Sequence, residues 1–331
     1  MTLPAPVREL GAAAARMDAG RASPRAAARS RRRWIAMQKW GRGYVLVSPA
    51  CVLIGLMMLY PVIQTLTFSV SKVRLPTFHT VFIGLDNFAR ILDDPGTWPL
   101  LQRTLVWVAG TVVLRFALGF VAAVIFNAKV RGTIWMRVLV ILPWTIPSVV
   151  GANLWRWIVQ TDTGLLNQTL RSWGLGDLAL NWLGDPDIAM ATVIVAYSWA
   201  GFPFVMLLIL ARMQGIPGEL YDAARVDGAS SWQMFRYITL PLLRGVIVIT
   251  LILETVSGIN SFDTLMIMTG GGPAEATRVW GLEIYKVGFG EFNLGGASAL
   301  SVLLFVGVLS LFIAYGLVNR GVQGGRRGAE A

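Results

Sequence analysis

The sequence has very little cysteine, histidine and charge. Cys51 has no partner in the chain, so an internal disulfide is excluded and we expect a small apolar packing role. His79 has no nearby cysteine, so no metal site is expected. Charged residues make up 14% of the 331 residues, whereas a soluble domain carries about 25%. A Gly-x-x-x-x-Gly-Lys-Ser/Thr segment is also absent, which predicts a chain that is no enzyme and hydrolyses no nucleotide itself.

Apolar residues, by contrast, make up 55% of the chain, and its mean hydropathy is +0.61. They form uncharged runs between charged connectors, and a hydrocarbon core about 30 Å thick needs roughly 20 apolar residues per helix. We therefore predict an all-α, polytopic integral membrane protein with six transmembrane helices. The predicted spans are 44–68, 104–127, 138–159, 188–211, 245–268 and 297–318.

Basic residues are distributed unevenly on the two sides of these spans. One side, which includes both termini, holds 20 Lys and Arg residues, and the other side holds six. The positive-inside rule therefore predicts that both termini are cytoplasmic. We attribute the net charge of +11 mainly to this topology and to the lipid bilayer, and not to nucleic acid. Segment 1–43 is rich in Ala and Arg without apolar periodicity, which predicts a disordered basic tail.

The third span contains two prolines near its start. Pro143 and Pro147 are four residues apart, so we expect an irregular helix there. The same span closes with Trp155-Arg156-Trp157, which is typical of an anchor at the membrane interface.

A polar segment separates the fourth and fifth spans, and we call residues 217–241 the elbow. Pro217 suits the first position of a helix, and helix-forming residues then run to Gly228, where the helix is predicted to end. Ser230 is followed three residues later by Gln233, the pattern of a capping box that opens a second helix. The elbow is therefore predicted to be two short helices joined at a glycine bend.

The fifth span carries more polar residues than the others. At 100° per residue, five of them fall within an arc of roughly 120°. This polar stripe consists of Glu254, Ser257, Asn260, Ser261 and Thr264. An unpaired charge inside a membrane costs at least about 2.5–3.5 kcal/mol, so an intramembrane Glu is a functional candidate. Two interpretations remain open: Glu254 lines a pathway, or it forms a structural ion pair with Arg115.

Four segments together resemble the carbohydrate-type permeases of binding-protein-dependent ABC importers, which include maltose and glycerol-3-phosphate uptake systems. The segments are Phe82-Ile-Gly-Leu-Asp-Asn-Phe88, Tyr221-Asp-Ala-Ala-Arg-Val-Asp-Gly228 with Ile238-Thr-Leu-Pro241, Ser261-Phe-Asp263, and Thr269-Gly-Gly-Gly-Pro273. The similarity covers most of 44–320. Asp222 departs from the family pattern, which usually has Glu there; it keeps the charge but shortens the side chain by one methylene.

This resemblance implies a type I ABC importer permease fold with a defined domain order. Residues 1–43 would form the cytoplasmic tail and 44–100 the first transmembrane helix with an external loop. Residues 101–319 would form the permease core of five transmembrane helices, and 320–331 a second cytoplasmic tail. The elbow would lie within a coupling loop at 212–244.

The resemblance also implies partners in a bacterial or archaeal cytoplasmic (inner) membrane. A second permease subunit would complete the pore, and two ATP-binding subunits would receive the elbows and use ATP and Mg. An extracytoplasmic solute-binding protein would deliver the substrate. The chain itself would need no cofactor and no metal. Closure of the ATP-binding subunits would then flip the pore from inward-facing to outward-facing.

Three groups of site residues follow from the resemblance and from the chemistry of sugars, which are held by hydrogen bonds and aromatic stacking. Those expected to couple to the ATPase are Glu219, Asp222, Ala223, Ala224, Arg225, Gly228, Ile238 and Pro241. Those expected along the substrate pathway are Trp144, Trp199, Glu254, Ser257, Asn260, Ser261 and Thr264. Those expected to dock the binding protein, in a turn that we expect to be flexible, are Gly270, Gly271, Gly272 and Pro273.

Several alternatives remain. The elbow could be an ordinary amphipathic connector, the stripe could be polar packing between helices, and the glycines could form only a turn. A substrate such as glycerol-3-phosphate becomes more plausible if Arg115 faces the pore without a partner. An ion-coupled secondary transporter would need no ATPase. A membrane-embedded enzyme would need paired carboxylates or His near the interface, and only Glu254 and Asp263 lie inside the spans.

Overall fold

A computed structural model describes the backbone of residues 24–128 and 132–327. Side chains are described for 46–128, 132, 134–313 and 315–316. The chain divides into two compact units, Met1–Gln64 and Thr65–Ala331. The first unit is helical over 24–64, and every site discussed below lies in the second unit.

Helices account for most of the described chain. They are α1 Pro24–Ser69, α2 Asp86–Asp93, α3 Thr97–Asn127, α4 Thr133–Thr145, α5 Ser148–Ile158, α6 Leu165–Ser172, α7 Pro186–Gln214, α8 Gly218–Val226, α9 Ser231–Met234, α10 Leu240–Asn260, α11 Phe262–Met268, α12 Trp280–Tyr285 and α13 Leu294–Arg327. A 3₁₀ turn covers Gly176–Leu178, and π-helical turns cover Phe235–Thr239 and Lys286–Gly290. The all-α prediction is therefore confirmed apart from one hairpin. In it β1 (Ser71–Arg74) pairs antiparallel with β2 (His79–Phe82), and Ser71 lies opposite Phe82.

Five segments of the described chain are long and apolar enough to cross a membrane. They are Leu46–Ser69, Thr97–Asn127, Pro186–Gln214, Ser231–Asn260 and Leu294–Ile313. The helices α4 and α5 become a sixth if the bent pair counts as one span. These segments correspond to the six predicted spans.

The third span is a bent pair and not the single helix predicted over 138–159. Its two halves meet at an angle of 97°. Ile146 is extended (ψ 128°) because Pro147 disfavours the helical region for the residue before it. Proline therefore turns the predicted irregular helix into a sharp bend.

The fifth span also differs from the prediction, because α10 ends at Asn260 and not at 268. Ser261 leaves the helical region (φ −90°, ψ 51°), and its hydroxyl donates to the Gly258 carbonyl at 2.9 Å. A serine side chain that bonds a nearby carbonyl competes with the helix backbone. The polar stripe was predicted on one continuous helix. In the structure Glu254, Ser257 and Asn260 lie on α10, Ser261 lies at the break, and Thr264 lies on α11.

The N-terminal tail differs as well. Helix α1 begins at Pro24, so the predicted disorder of 1–43 does not describe residues 24–43, which are helical. Ala and Arg have high intrinsic helix propensity, which explains the helix. Residues 1–23 lie outside the described residues.

The core of the second unit is built on the close packing of α3 against α7. Gly119 of α3 makes this approach possible, because a Cβ there would lie 2.5 Å from Val205 Cβ of α7. Small residues allow helix backbones to approach each other in membrane proteins. Helix α10 packs against both α3 and α7, so three helices surround the buried centre.

Candidate functional site

A cavity of about 320 Å³ opens between α3, α4, α5, α7, α10 and α11. Its walls combine aromatic rings, hydroxyls and one ion pair. The polar and aromatic lining residues are Arg115, Trp144, Ser148, Trp155, Tyr197, Trp199, Phe204, Glu254, Ser257 and Thr264. Six different helices therefore supply one concave surface, the usual construction of a small-molecule site in a helical protein.

The ion pair lies at one wall of this cavity. Arg115 Nη1 donates to Glu254 Oε2 at 2.9 Å, and both side chains are more than 90% buried. The guanidinium also donates from Nη2 to the Tyr197 carbonyl at 2.9 Å. Each charge therefore has its counter-charge at hydrogen-bond distance, which offsets part of the desolvation cost of burying both. Arg115 and Glu254 are therefore paired, as the second interpretation of Glu254, a structural ion pair, predicts. Both residues also line the cavity, as the first interpretation predicts for Glu254.

Gly201 of α7 makes room for this ion pair. A Cβ at Gly201 would lie 2.1 Å from Arg115 Cζ, so any side chain there would displace the guanidinium. The Arg115 Cζ also lies 3.5 Å from the centre of the Tyr197 ring, a cation–π contact. Arg115 is thereby held between Glu254 of α10 and the surface of α7.

Tyr197 and Ser257 are linked next to the ion pair. The Tyr197 hydroxyl lies 2.9 Å from Ser257 Oγ and 3.2 Å from the Ser257 carbonyl. Arg115 Nη1 is 3.4 Å from the same Ser257 Oγ. A hydroxyl pair positioned by a neutralised ion pair can donate and accept hydrogen bonds without presenting net charge.

Other parts of the cavity wall are aromatic. Trp155 and Trp199 meet edge to face with ring centres 5.9 Å apart, and Trp144 stacks on Phe204 at 5.8 Å. Flat apolar faces of this kind suit the C–H faces of a ring such as a sugar.

The predicted pathway residues divide between this cavity and its surroundings. Trp144, Trp199, Glu254, Ser257 and Thr264 line it. Asn260 and Ser261 are not among its lining residues: the exposed Asn260 amide donates to the Val256 carbonyl, and Ser261 is buried. Ser261 lies at the break between α10 and α11, which takes it out of the predicted helical face, whereas Asn260 is the last residue of α10 and lies at the edge of the predicted arc.

Sequence reasoning did not identify Trp155, Tyr197, Gly201 or Phe204 as part of the site. Trp155 was interpreted as an interface anchor, yet it lines the cavity. One signal was available: Tyr197 and Gly201 are four residues apart on α7 and so share a face. The sequence alone does not show that this face of α7 contacts Arg115, because the contact depends on how α3 packs against α7.

The elbow has the predicted form of helix, glycine bend and helix. Gly228 adopts φ +79°, the left-handed conformation that favours glycine. Ser230 caps α9, with both bonds of the capping box to Gln233 present. A π-helical turn then leads into α10, where Pro241 has no N–H to close a normal turn.

The surface of the elbow is highly exposed. No residue of α8 is buried, and its Asp222 and Arg225 form an exposed ion pair at 2.7 Å. Val226 is 88% exposed, Trp232 69% and Tyr237 73%. Exposed apolar and aromatic residues beside small ones are typical of a protein interaction surface. Of the remaining predicted coupling residues, Glu219, Ala223 and Gly228 are exposed, and Ala224, Ile238 and Pro241 are half-buried.

The glycine-rich segment after α11 forms a hydrogen-bonded turn. Gly270 and Gly271 have positive φ (61° and 94°), and the Thr277 hydroxyl donates to the Gly272 carbonyl at 2.7 Å. The next residues carry an ionic network in which Arg278 bonds Glu275 and Glu283. The hydrogen bond to Glu283 is the main cause that raises the pKa of Arg278, with further contributions from the charges of Glu283 and Glu275. The segment expected to be flexible therefore forms specific hydrogen bonds and ion pairs.

Comparison with known proteins gives a consistent result. The profile of a family described as "Binding-protein-dependent transport system inner membrane component" matches residues 115–324. The trehalose/maltose transport system permease protein MalF of Thermococcus litoralis is 37% identical, covering 84% of this chain and 93% of that protein. The lactose transport system permease protein LacF of Rhizobium radiobacter is 31% identical, covering 84% and 94%. The sulfoquinovosyl glycerol transport system permease protein SmoG of Agrobacterium fabrum is 32% identical, covering 82% and 88%.

A solved structure has the same fold. It is a chain of a bacterial ABC transporter involved in the import of the acidic polysaccharide alginate. The TM-score is 0.77 at 22% sequence identity, and the match covers 88% of this chain and 99% of that chain.

Proposed function

This chain belongs to the family of binding-protein-dependent transport system inner membrane components, and we propose that its substrate is a sugar or a related polyol. It is a transmembrane permease subunit of an ATP-driven ABC importer. The names of the trehalose/maltose and lactose relatives support the choice of substrate. Trp144, Trp199, Glu254, Ser257 and Thr264 would contact or border the substrate in the cavity.

The neutralised ion pair is the observation that carries this proposal. Arg115 and Glu254 cancel each other's charge at the cavity wall, and the adjacent groups are hydroxyls and aromatic rings. A charged ligand in such a buried site would lack a free counter-charge, whereas a polyhydroxylated ring would find hydrogen bonds and flat apolar faces. The same observation disfavours glycerol-3-phosphate, which would need an Arg115 without a partner.

Coupling to an ATPase through the elbow is the second part of the proposal. The elbow would lie on the cytoplasmic side, as the distribution of basic residues suggests, with both termini on that side. Its surface around exposed Asp222, Ala223 and Gly228 and half-buried Ala224 would be received by an ATP-binding subunit, with Glu219 and Arg225 as polar contacts. Ile238 and Pro241 would continue the contact surface towards α10. A second permease subunit and a second ATP-binding subunit would complete the assembly.

The glycine turn is proposed to dock the solute-binding protein on the opposite side. Gly270, Gly271, Gly272 and Pro273 would present a surface whose shape is fixed by Thr277 and by the network around Arg278. Asn260 and Ser261, outside the cavity lining, would lie on the path between this side and the cavity.

Uptake by cells tests the substrate proposal. In a strain that lacks the chromosomal gene, the chain should restore uptake of at least one of radiolabelled trehalose, maltose and lactose, but not of glycerol-3-phosphate. Trp199→Ala should raise the half-saturating concentration roughly tenfold, because one aromatic contact is worth about 1.5 kcal/mol. Trp173→Ala is the matched control, since Trp173 is 73% exposed and does not line the cavity. Uptake of glycerol-3-phosphate alone would contradict the proposal.

The same uptake assay distinguishes an importer driven by ATP hydrolysis from a secondary transporter driven by an ion gradient. A protonophore that leaves cellular ATP intact should not reduce initial uptake, because the elbow would deliver energy from ATP hydrolysis. Uptake that stops with the ion gradient while ATP remains high would favour ion coupling instead.

A further inference from the structure

The first helix of the elbow has few attachments to the rest of the protein. None of the nine residues of α8 is buried. Within the described part of the chain, a single side-chain hydrogen bond joins α8 to another element: the Tyr221 hydroxyl and Thr239 Oγ1 are 2.8 Å apart. The other side-chain bond of α8 is internal, between Arg225 and Asp222.

Thr239 is placed at the base of α10. It is 4% exposed and is the last residue of the π-helical turn Phe235–Thr239, which continues directly into α10. The same helix carries Glu254 and Ser257 into the cavity. A movement delivered to Thr239 therefore reaches the helix that forms part of the cavity wall.

The second half of the elbow is attached differently. Phe235 stacks on Trp232 at 5.7 Å and meets Phe120 of α3 edge to face at 6.2 Å. These aromatic contacts hold α9 and the π-helical turn and do not involve α8. Helix α8 connects to them through the bend at Gly228, where the left-handed backbone has open space around it.

We propose that Tyr221 is a positioning residue that transmits movement of α8 to α10 through its hydrogen bond with Thr239. The inference rests on the proposed coupling function. It adds the specific hydrogen bond through which movement of the elbow would move α10 and so change the shape of the cavity. Without this bond α8 could tilt about Gly228 while α10 stayed in place, so ATP would be hydrolysed with less movement of the cavity.

The test uses the complete complex of this chain with its own partner subunits, reconstituted in liposomes. Cys51→Ser removes the single native cysteine, and Ser148→Cys places a reporter at the cavity lining. The measured quantity is the change in the maleimide labelling rate of this reporter on addition of MgATP and vanadate, together with ATP hydrolysis without vanadate. In Tyr221→Phe we expect that change to shrink roughly fivefold, the equilibrium shift that one net hydrogen bond supplies, while hydrolysis continues.

Three further variants make the result specific. Thr239→Val should reproduce the effect of Tyr221→Phe, and Thr239→Ser should restore the response because it keeps the hydroxyl. Tyr285→Phe is the matched control: Tyr285 lies on α12, outside the elbow, does not line the cavity and should respond like the unsubstituted chain.

Two outcomes would overturn the inference. One is an unchanged labelling response in Tyr221→Phe. The other is loss of the ATP-binding subunits from purified Tyr221→Phe, which would make Tyr221 part of the contact itself. If the unsubstituted chain does not co-purify with an ATP-binding subunit, the proposed coupling function fails, and the inference fails with it.

Discussion

At the scale of single residues, the buried Arg115 determines the character of the cavity. It forms an ion pair with Glu254, donates to the Tyr197 carbonyl and requires the absence of a side chain at Gly201. Three helices are joined at this guanidinium, because the four residues belong to α3, α7 and α10. The polarity of the cavity and the packing of its walls therefore depend on the same side chain.

Removal of Arg115 alone should be costly. Arg115→Met leaves Glu254 as an uncompensated charge that is 3% exposed, and breaking a buried pair costs about 3–5 kcal/mol. We expect a clear fall in the midpoint of thermal unfolding in detergent. The double variant Arg115→Met, Glu254→Met should recover most of that loss, since apolar replacement of both partners is often neutral. Equal stability of the single and double variants would show that the pair does not neutralise Glu254.

Only some of the residues around Arg115 could be predicted from the sequence. Pairing of Arg115 with Glu254 was one of two interpretations, because an intramembrane charge needs a partner. Tyr197 and Gly201 were not identified, because their role depends on the register of α7 against α3. A single sequence contains no direct information on that register.

At the scale of elements, local signals were sufficient for the elbow. The left-handed Gly228 and the capping box of Ser230 and Gln233 act within a few residues, so the sequence specifies them directly. The bend at Ile146 follows from Pro147, although its angle of 97° depends on packing. The break at Ser261 was not predicted, because a serine in an apolar helix more often stays helical.

The glycine bend of the elbow can be tested with a charged substitution. Gly228→Asp places a carboxylate on the exposed bend, where no atom lies within 4 Å of an added Cβ, so folding should survive with a strain cost of about 1–2 kcal/mol. We expect this variant to lose the ATP-binding subunits in a pull-down while membrane insertion is retained.

The control for this experiment is Gly84→Asp. Gly84 also has positive φ (63°) and open space around it, but it lies between β2 and α2, away from the elbow in the chain. It introduces the same strain and the same charge, and it should keep its partners. Normal association of Gly228→Asp would remove the elbow from the contact with the ATPase.

At the scale of the whole molecule, the order of the spanning segments follows from apolar run length alone. All six predicted spans correspond to long apolar helices or to the bent pair α4–α5. Their orientation rests on a separate argument, the 20-to-6 distribution of basic residues between the two sides. If the bent pair α4–α5 crosses the membrane once, as predicted, the elbow and the β1–β2 hairpin should lie on opposite sides of the membrane.

This orientation can be measured because the chain has a single native cysteine. In a Cys51→Ser background, Thr77→Cys marks the turn of the hairpin and Asp227→Cys marks the elbow, and both residues are exposed. A membrane-impermeant maleimide applied to spheroplasts should label Thr77→Cys and leave Asp227→Cys unlabelled until the membrane is permeabilised. The reverse pattern would place the elbow outside the cell, where no ATPase could reach it, and coupling through α8 would then be impossible.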